Sequence, residues 1–344
     1  MLEAASRKPH NPGHMEVTGR GALFYAGFAH SCIQPRMATA FLSGEPEQRM
    51  HASAPIHVSV MLDEVIAALD PQPGHTLVDG TLGAGGHTRA LAERIGPTGV
   101  VIGLDRDLRA IDAAERNLAG LPVKVAATNY TELGEVLEEL DIAAVDGIVL
   151  DLGLSSDQLA DQERGFSFDA EGELDLRFDT DSGEPAWRLI ARLDATLLAN
   201  MIYEYGEERH SRRIARAIVE RRIEKPIRTA GDLAEIVRRA VPRTPDSRRI
   251  DPATRTFQAL RIAVNDELGS LEKALADFPN YLKPGGRLAV ISFHSLEDRL
   301  VKNAFRDDPR YEVLTRKPLL PSEAEIQRNP RSRSAKLRVA ARSA

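Results

Sequence analysis

Thr76-Leu77-Val78-Asp79-Gly80-Thr81-Leu82-Gly83-Ala84-Gly85-Gly86-His87 is the stretch that decides the fold. It opens as a short apolar strand, ends that strand on an acid, and crowds the next turn with glycines. Residues 86–95 then continue with helical spacing. Glycine is required where a backbone turns sharply or must approach a ligand without a side chain in the way. A dinucleotide loop of the form G-x-G-x-x-G begun at Gly83 would need its third glycine at position 88, where Thr88 stands. The spacing is instead D-x-x-x-G-x-G-G.

Working outward, residues 100–104 form a second apolar run ending on Asp105, and 123–126 a third followed by Thr128-Asn129-Tyr130. Residues 145–150 form a fourth that ends on Asp151. Helical patterns at 108–118 and 132–140 separate them. Strands alternating with helices predict a parallel, doubly wound α/β sheet. Burial on both faces explains why the strands are continuously apolar rather than alternating. The four strand ends share one edge, where open sheets of this kind bind ligands. Asp105, placed twenty residues beyond Gly85, can accept hydrogen bonds from both ribose hydroxyls, a feature common to nicotinamide and S-adenosylmethionine sites. Tyr130 is placed to cover an adenine. The D-x-x-x-G-x-G-G spacing resembles the first motif of class I S-adenosylmethionine methyltransferases, which selects S-adenosyl-L-methionine as the cofactor. Asp79, Gly83, Gly85, Gly86, His87, Asp105, Tyr130 and Asp151 are the candidate contacts.

The rhythm breaks after Ser156. Residues 158–183 read as a loop, and helices follow at 186–202, 208–223 and 229–240, the last with Thr229 as its N-cap and Pro242 and Pro245 ending it. A long helix over 254–275, a Pro284-Gly285-Gly286 turn and an apolar strand at 287–291 resume the sheet. A helix at 295–305 and two strands at 311–315 and 336–340 complete it. The expected fold class is therefore an α/β, Rossmann-like class I methyltransferase sheet with an inserted all-helical domain. The expected division is a disordered N-terminal extension over 1–54, methyltransferase core over 55–159, a helical substrate-binding insertion over 160–250, and the rest of the core over 251–344.

The extension mixes Gly, Pro, Ser, His and isolated aromatics without a period, and Met37 and Met50 offer alternative starts. The one cysteine, Cys32, makes neither an internal disulfide nor a Cys-rich zinc site, which fits a reducing cytoplasm. No apolar run reaches the roughly 18 residues of a membrane span, and no His, Asp or Glu spacing suggests a metal.

Further motifs narrow the reading. Residues 57–64 (HVSVMLDE), 79–87, 105–107 (DRD), 151–156 (DLGLSS), 163–168 (ERGFSF), 174–177 (LDLR), 205–209 (YGEER), 252–258 (PATRTFQ), 292–299 (SFHSLEDR) and 329–334 (NPRSRS) together resemble the MraW (RsmH) family. These are the methyltransferases H of the small ribosomal subunit RNA. The resemblance runs from about residue 57 to the C-terminus and has no counterpart for the first fifty-odd residues. It implies methylation of the exocyclic N4 of a cytidine in the decoding centre of 16S ribosomal RNA. It also implies cofactor contacts at Gly85, Gly86, His87, Asp105, Tyr130, Asp151 and Gln158, with Tyr130 where a phenylalanine is common.

Methyl transfer from a sulfonium is an in-line displacement, so positioning supplies much of the catalysis. A cytosine N4 is a poor nucleophile because its lone pair is delocalised, and an acceptor for the amino protons offsets this. The loop after the fourth strand, where DNA amino-methyltransferases carry a Pro-Pro-aromatic motif, holds Leu152-Gly153-Leu154-Ser155-Ser156. Its backbone carbonyls or the hydroxyls of Ser155 and Ser156 are candidate acceptors, with Asp151 as rival. His294, after the fifth strand, is either a group that takes the proton or positions the base, or a histidine held in a structural turn.

Net charge is −6 overall, yet residues 205–261 hold fifteen Lys or Arg against eight Asp or Glu. Arg212, Arg213 and Arg216 flank the apolar Ile214, Ala217 and Ile218, so one helix presents arginines on one side and packs with the other. With Arg255 they are the candidate RNA contacts. Arg328, Arg331, Arg333 and Lys336 form a second basic patch. Phe166, Phe168 and Trp187 either stack on a splayed nucleotide or, as favoured for Trp187, belong to the core. The expected partner is small-subunit ribosomal RNA or the assembled subunit. Alternative readings are a non-catalytic RNA-binding assembly factor and a small-molecule methyltransferase, against which the basic helical insertion counts.

Overall fold

Seven strands form one sheet in the order β3-β2-β1-β4-β5-β7-β6. A computed structural model describes residues 59–242 and 251–344, so the N-terminal extension expected over 1–54 lies outside the described residues. The strands are β1 (Thr76–Asp79), β2 (Val100–Asp105), β3 (Val123–Ala127), β4 (Val145–Asp151), β5 (Leu282–Ser292), β6 (Tyr311–Val313) and β7 (Lys336–Arg342). Strands β1 to β5 pair in parallel, while β7 runs antiparallel between β5 and β6. This is the class I methyltransferase sheet, and the chain order of its first four strands is the one the apolar runs predict.

Alternate residues of the same strands feed two cores. Val78, Ile102, Leu104, Leu150, Leu288 and Val290 point to one face, packing with Phe278, Leu275 and Leu271 of α11 (Glu267–Tyr281) and Val301 and Phe305 of α12 (Ser295–Asp307). Leu77, Val101, Val149, Ala289, Ile291 and Val339 point to the other, against Val65, Ile66 and Leu69 of α1 (Leu62–Leu69) and Leu91 and Ile95 of α2 (Gly86–Ile95). Burial on both faces accounts for the unbroken apolar runs. Helix α3 (Leu108–Asn117), capped by Asp107, and α4 (Leu133–Glu139), entered through a 3-10 turn at Tyr130–Glu132, complete the crossovers.

Between β4 and β5 lie the short α5 (Ser156–Ala160), then α6 (Ala186–Arg192), α7 (Ala195–Gly206), α8 (Ser211–Glu224), α9 (Ala230–Ala240) and α10 (Thr254–Asn265). They share a third core of Leu174, Ile190, Leu198, Ile202, Ile214, Ile218, Leu233, Val237 and Leu260, among others. That core reaches Leu260, so α10 belongs to the helical layer although residue 251 was the expected return to the sheet. Two helices expected as continuous are broken. The 186–202 pattern divides at Asp194, whose carboxylate caps α7 by accepting from the amides of Thr196 and Leu197, both at 2.8 Å. The 254–275 pattern divides at Asp266, which adopts a left-handed φ of 49° while Asn265 ties its side chain to Leu176 O and the Phe178 amide. The Pro-Gly-Gly stretch is not a turn before β5 but an irregularity inside it: pairing begins at Leu282, slips, and resumes at Arg287. Thr229 caps α9 as expected, accepting from the Asp232 amide at 3.1 Å. Helix α13 (Glu323–Arg328) and a 3-10 turn at Pro330–Ser334 lead into β7.

Candidate cofactor and methyl-transfer site

A cavity opens at the C-terminal edge of the sheet, at the ends of β1, β2, β3 and β4. Its walls include Gly83, Gly86, His87, Asp105, Tyr130, Asp151, Ser155 and Gln158. Eight of the twelve residues picked out on sequence grounds for the cofactor or for catalysis are thus gathered in one place, from segments up to 75 residues apart.

The glycine turn is shaped by need. Gly83 and Gly85 hold φ of +52° and +85°, a region that side-chain-bearing residues enter at a cost. A Cβ on Gly80 would lie 2.5 Å from Leu150 Cδ2, and one on Gly86 would collide with Ser59 Oγ. Asp79 does not face the cavity. Nearly fully buried, it accepts from Thr88 Oγ1 at 2.7 Å and from the Thr81 amide at 3.2 Å, and burial raises its pKa. Its work is to hold the turn and the first turn of α2. Gly85 likewise acts from outside the lining, as the left-handed residue preceding α2.

Asp105 and Asp151 end neighbouring parts of the sheet with different surroundings. Asp105 Oδ2 accepts the Gly83 amide and Oδ1 the Asp107 amide, both at 2.9 Å; burial lifts its pKa to about 6 against those two bonds. Asp151 is also lifted to about 6 by burial, with His87 and Arg331 pulling it down and Asp79 pushing it up. Its Oδ1 is buried with no hydrogen-bond partner among the described residues, and its Oδ2 lies 3.8 Å from His87 Nδ1. His87 Nε2 is 3.0 Å from the Val60 carbonyl. A carbonyl only accepts, so Nε2 carries a proton and donates it to Val60 O.

The loop after β4 is more committed than its sequence suggests. Ser155 is the N-cap of α5, its hydroxyl accepting the Gln158 amide at 3.1 Å while Gln158 Oε1 accepts the Ser155 amide at 3.0 Å. Gln158 Nε2 also donates to Asp107 Oδ2. Ser156 lies outside the lining and its hydroxyl accepts from Arg331. Arg331 donates further to Leu154 O at 3.2 Å and Ser155 O at 2.9 Å.

His294 is not brought to the cavity. It caps α12, Nδ1 accepting the Glu297 amide at 3.3 Å, and its neighbours Phe293 and Glu297 form the lining instead. Its Nε2 stands 3.0 Å from Glu297 Oε1 without hydrogen-bond alignment. Glu267, His294 and Glu297 bring ligand-type atoms within 4.8 Å of one another. Arg261 donates to both oxygens of Glu267, at 2.7 and 2.9 Å, so a guanidinium already supplies positive charge there. Burial opposes ionisation of Glu297, but His294 and Arg261 outweigh it and its pKa falls below the ordinary value.

The arginines separate into two kinds. Arg212, Arg213 and Arg216 project from α8 into solvent and pair with no acid among the described residues, while Ile214, Ala215 and Ile218 of the same helix are buried. Arg255 is exposed at the start of α10 and donates to Glu207 O. None of these lines the cavity. Arg222 instead binds the carbonyls of Ile190 and Leu193, and Arg238 binds Asp251. Arg243, Arg248 and Arg249 lie outside the described residues. Trp187 packs against the helical core with Arg228 3.5 Å above its ring, and Phe168 meets Phe257 edge-on at 4.7 Å. Sequence reading missed Arg106, Phe178, Glu267, Ser270, Phe293 and Arg331 in the lining. Arg106, Phe293 and Arg331 sit in the 105–107, 292–299 and 329–334 motifs and Phe178, Glu267 and Ser270 in none of those quoted, and the topology brings all six in.

Sheet order, glycine turn and acid-tipped strands define a class I S-adenosylmethionine-dependent methyltransferase. The MraW methylase family matches residues 54–343, and the chain belongs to it. Among curated relatives, ribosomal RNA small subunit methyltransferase H of Magnetococcus marinus is 52% identical over 309 residues, covering 83% of this chain and 97% of its own length. The protein of the same name from Deinococcus radiodurans is 52% identical over 289 residues, covering 84% and 90%. Among solved structures, an rRNA methylase from Streptococcus thermophilus aligns at 12% identity with a TM-score of 0.38, over 82% of this chain and 94% of its own, a likeness too slight to carry weight. No helix among the described residues is long and apolar enough to cross a membrane.

Proposed function

We propose that this protein methylates the exocyclic N4 of a cytidine in the decoding centre of small-subunit (16S) ribosomal RNA, using S-adenosylmethionine. Ribosomal RNA as substrate rests on the shared name of relatives about half identical over nearly their whole length. The observation that carries the chemistry is the buried, unpartnered Oδ1 of Asp151 in the wall of the cavity.

The residues present suit the cofactor. Asp105 offers a carboxylate for the ribose hydroxyls, Tyr130 an aromatic wall for the adenine, and Gly83 an open approach where a Cβ would meet nothing nearer than 4.0 Å. Gly86, His87 and Gln158 close the same pocket. When bound, the cofactor supplies a methyl group activated on a sulfonium. Cytosine N4 gains that carbon as the S–C bond breaks, and it must shed one proton. A buried polar atom left without a partner costs stability, so an orphan oxygen marks a place where a ligand group is expected. Asp151 Oδ1 is that oxygen. The Ser155 and Ser156 hydroxyls and the carbonyls of Leu154 and Ser155 already serve as acceptors inside the protein, so Asp151 is the better acceptor for the amino protons. A general acceptor of this kind contributes about 10²–10⁴-fold. The exposed arginines of α8, with Arg255, present the charge that a phosphate backbone requires.

The test is methyl transfer from radiolabelled S-adenosylmethionine to small subunits lacking decoding-centre modifications, followed by nucleoside analysis. Label in N4-methylated cytidine is expected. Label in another nucleoside, or none with cofactor binding intact, refutes the assignment.

A further inference from the structure

One cation of the cavity wall comes from the far end of the chain. Arg331 sits in the Pro330–Ser334 turn just before β7, and its three acceptors, Leu154 O, Ser155 O and the Ser156 hydroxyl, are 175 to 177 residues away in sequence. Its turn is firmly tied. Ser332 is fully buried, its hydroxyl donates to Asn329 O at 2.8 Å and its amide to the same oxygen at 2.9 Å. From Leu337 onward the strand is buried in the sheet beside β5. The loop it reaches is held at both ends, by the Leu152 amide and by the Ser155–Gln158 capping box, with Gly153 and Leu154 between them. The Leu152 amide is fixed to Ile291 O, but Gly153 follows at φ +108°, a conformation open to glycine and strained for other residues. Beyond it the guanidinium binds Leu154 O and Ser155 O, the second of which also accepts the Leu159 amide at 3.2 Å.

We infer that Arg331 is a positioning residue for methyl transfer: the C-terminal segment pins the loop that follows β4, and so sets the wall against which the acceptor base must lie. A planar guanidinium can reach three acceptors at once, which an ammonium on a flexible stem cannot do in one fixed geometry. The guanidinium is half-buried. Desolvation lowers its pKa, and Asp151 and Asp157 act against that fall. The same charge acts in return on Asp151, holding its carboxyl lower than burial alone would. The residue therefore couples loop geometry to the state of the proposed acceptor. This inference rests on the reading that the loop faces the target base.

The experiment uses the full chain with Arg331→Met and Arg331→Lys. Three quantities are read: single-turnover methyl incorporation into unmodified small subunits counted over all nucleosides, affinity for S-adenosylhomocysteine, and hydrogen exchange of amides 152–160. Misplacement of a reacting group by about an ångström costs on the order of 10²-fold, and that is the loss expected for Arg331→Met. Affinity for the cofactor product is expected to stay within about threefold, because only transition-state positioning is removed. The Met variant is also expected to raise the pH at which its rate falls on the acid side, and to speed exchange at 152–160 while other amides keep their protection. Lysine is expected to restore the pH profile but little of the rate. A Met variant with the wild-type rate, or with unchanged protection of 152–160, overturns the inference. Label appearing outside N4-cytidine would remove the substrate reading alone, since the rate ratio is counted over all nucleosides. The exchange result decides the role of Arg331 independently of transfer.

Discussion

Two strand ends, those of β2 and β4, carry carboxylates raised to the same pKa of about 6 by the same cause, burial. Their partners differ. Both oxygens of Asp105 hold backbone amides, whereas Asp151 keeps one oxygen buried and unpaired. The difference teaches that a shifted pKa alone does not name a role. Asp105 is built into the turn it supports. Asp151 lines the same cavity with an oxygen that has no donor among the described residues.

Substitution separates the two most sharply. Asp151→Ala is expected to lower the single-turnover rate by about 10²–10⁴-fold while leaving substantial cofactor affinity. Asp105→Ala is expected to weaken S-adenosylhomocysteine binding by on the order of 10²-fold, since hydrogen bonds to a charged group contribute about 1.5–3 kcal/mol. Titration calorimetry with single-turnover kinetics on each variant checks this. Equal effects on binding and rate in both variants would erase the distinction.

A pH series sharpens it further. The rate of the wild type should fall as pH drops through about 6, where Asp151 takes up a proton and can no longer accept another. Asp151→Asn, which still accepts a hydrogen bond but does not titrate, should lose that limb. Stability runs the other way. The folded pKa lies above the ordinary value of 3.8, so the folded chain binds more protons between about pH 4 and 6. Stability without cofactor therefore falls as pH rises through that window. Asp151→Asn should accordingly raise stability at pH 8, by about 1–3 kcal/mol. Denaturant unfolding at pH 4.5 and 8, two conditions chosen to bracket roughly that window, would show it.

Smaller effects are expected away from the strand ends. Arg212→Glu, Arg213→Glu and Arg216→Glu together should weaken subunit binding and flatten its salt dependence by about 2 in slope, with little change in unfolding midpoint. Arg222→Ala should do the reverse, lowering stability by about 1–3 kcal/mol because it strands the carbonyls of Ile190 and Leu193.

The sheet was legible because its strands are buried on both faces and read as unbroken apolar runs, and the cavity was legible because strand ends converge by topology. Local signals at the loop after β4 were also present. Ser155 and Gln158 have the S-x-x-Q spacing of a capping box, which explains why the Ser155 hydroxyl is engaged. His294 and Glu297 repeat the motif at α12, which accounts for His294 turning away from the cavity. The breaks at Asp194 and Asp266 were obscured because the apolar period continues across both. Arg331 carried no local sign of its place. Within the sequence it is one arginine of a basic stretch, and its partners lie 175 to 177 residues earlier, just after β4.

The most direct test of this account is the single-turnover rate of Asp151→Ala beside the wild type on unmodified small subunits, at saturating S-adenosylmethionine and with the product nucleoside identified. The account predicts N4-methylcytidine from the wild type and a loss of about 10²–10⁴-fold in the variant. A variant as fast as the wild type, or a product methylated elsewhere, would contradict it.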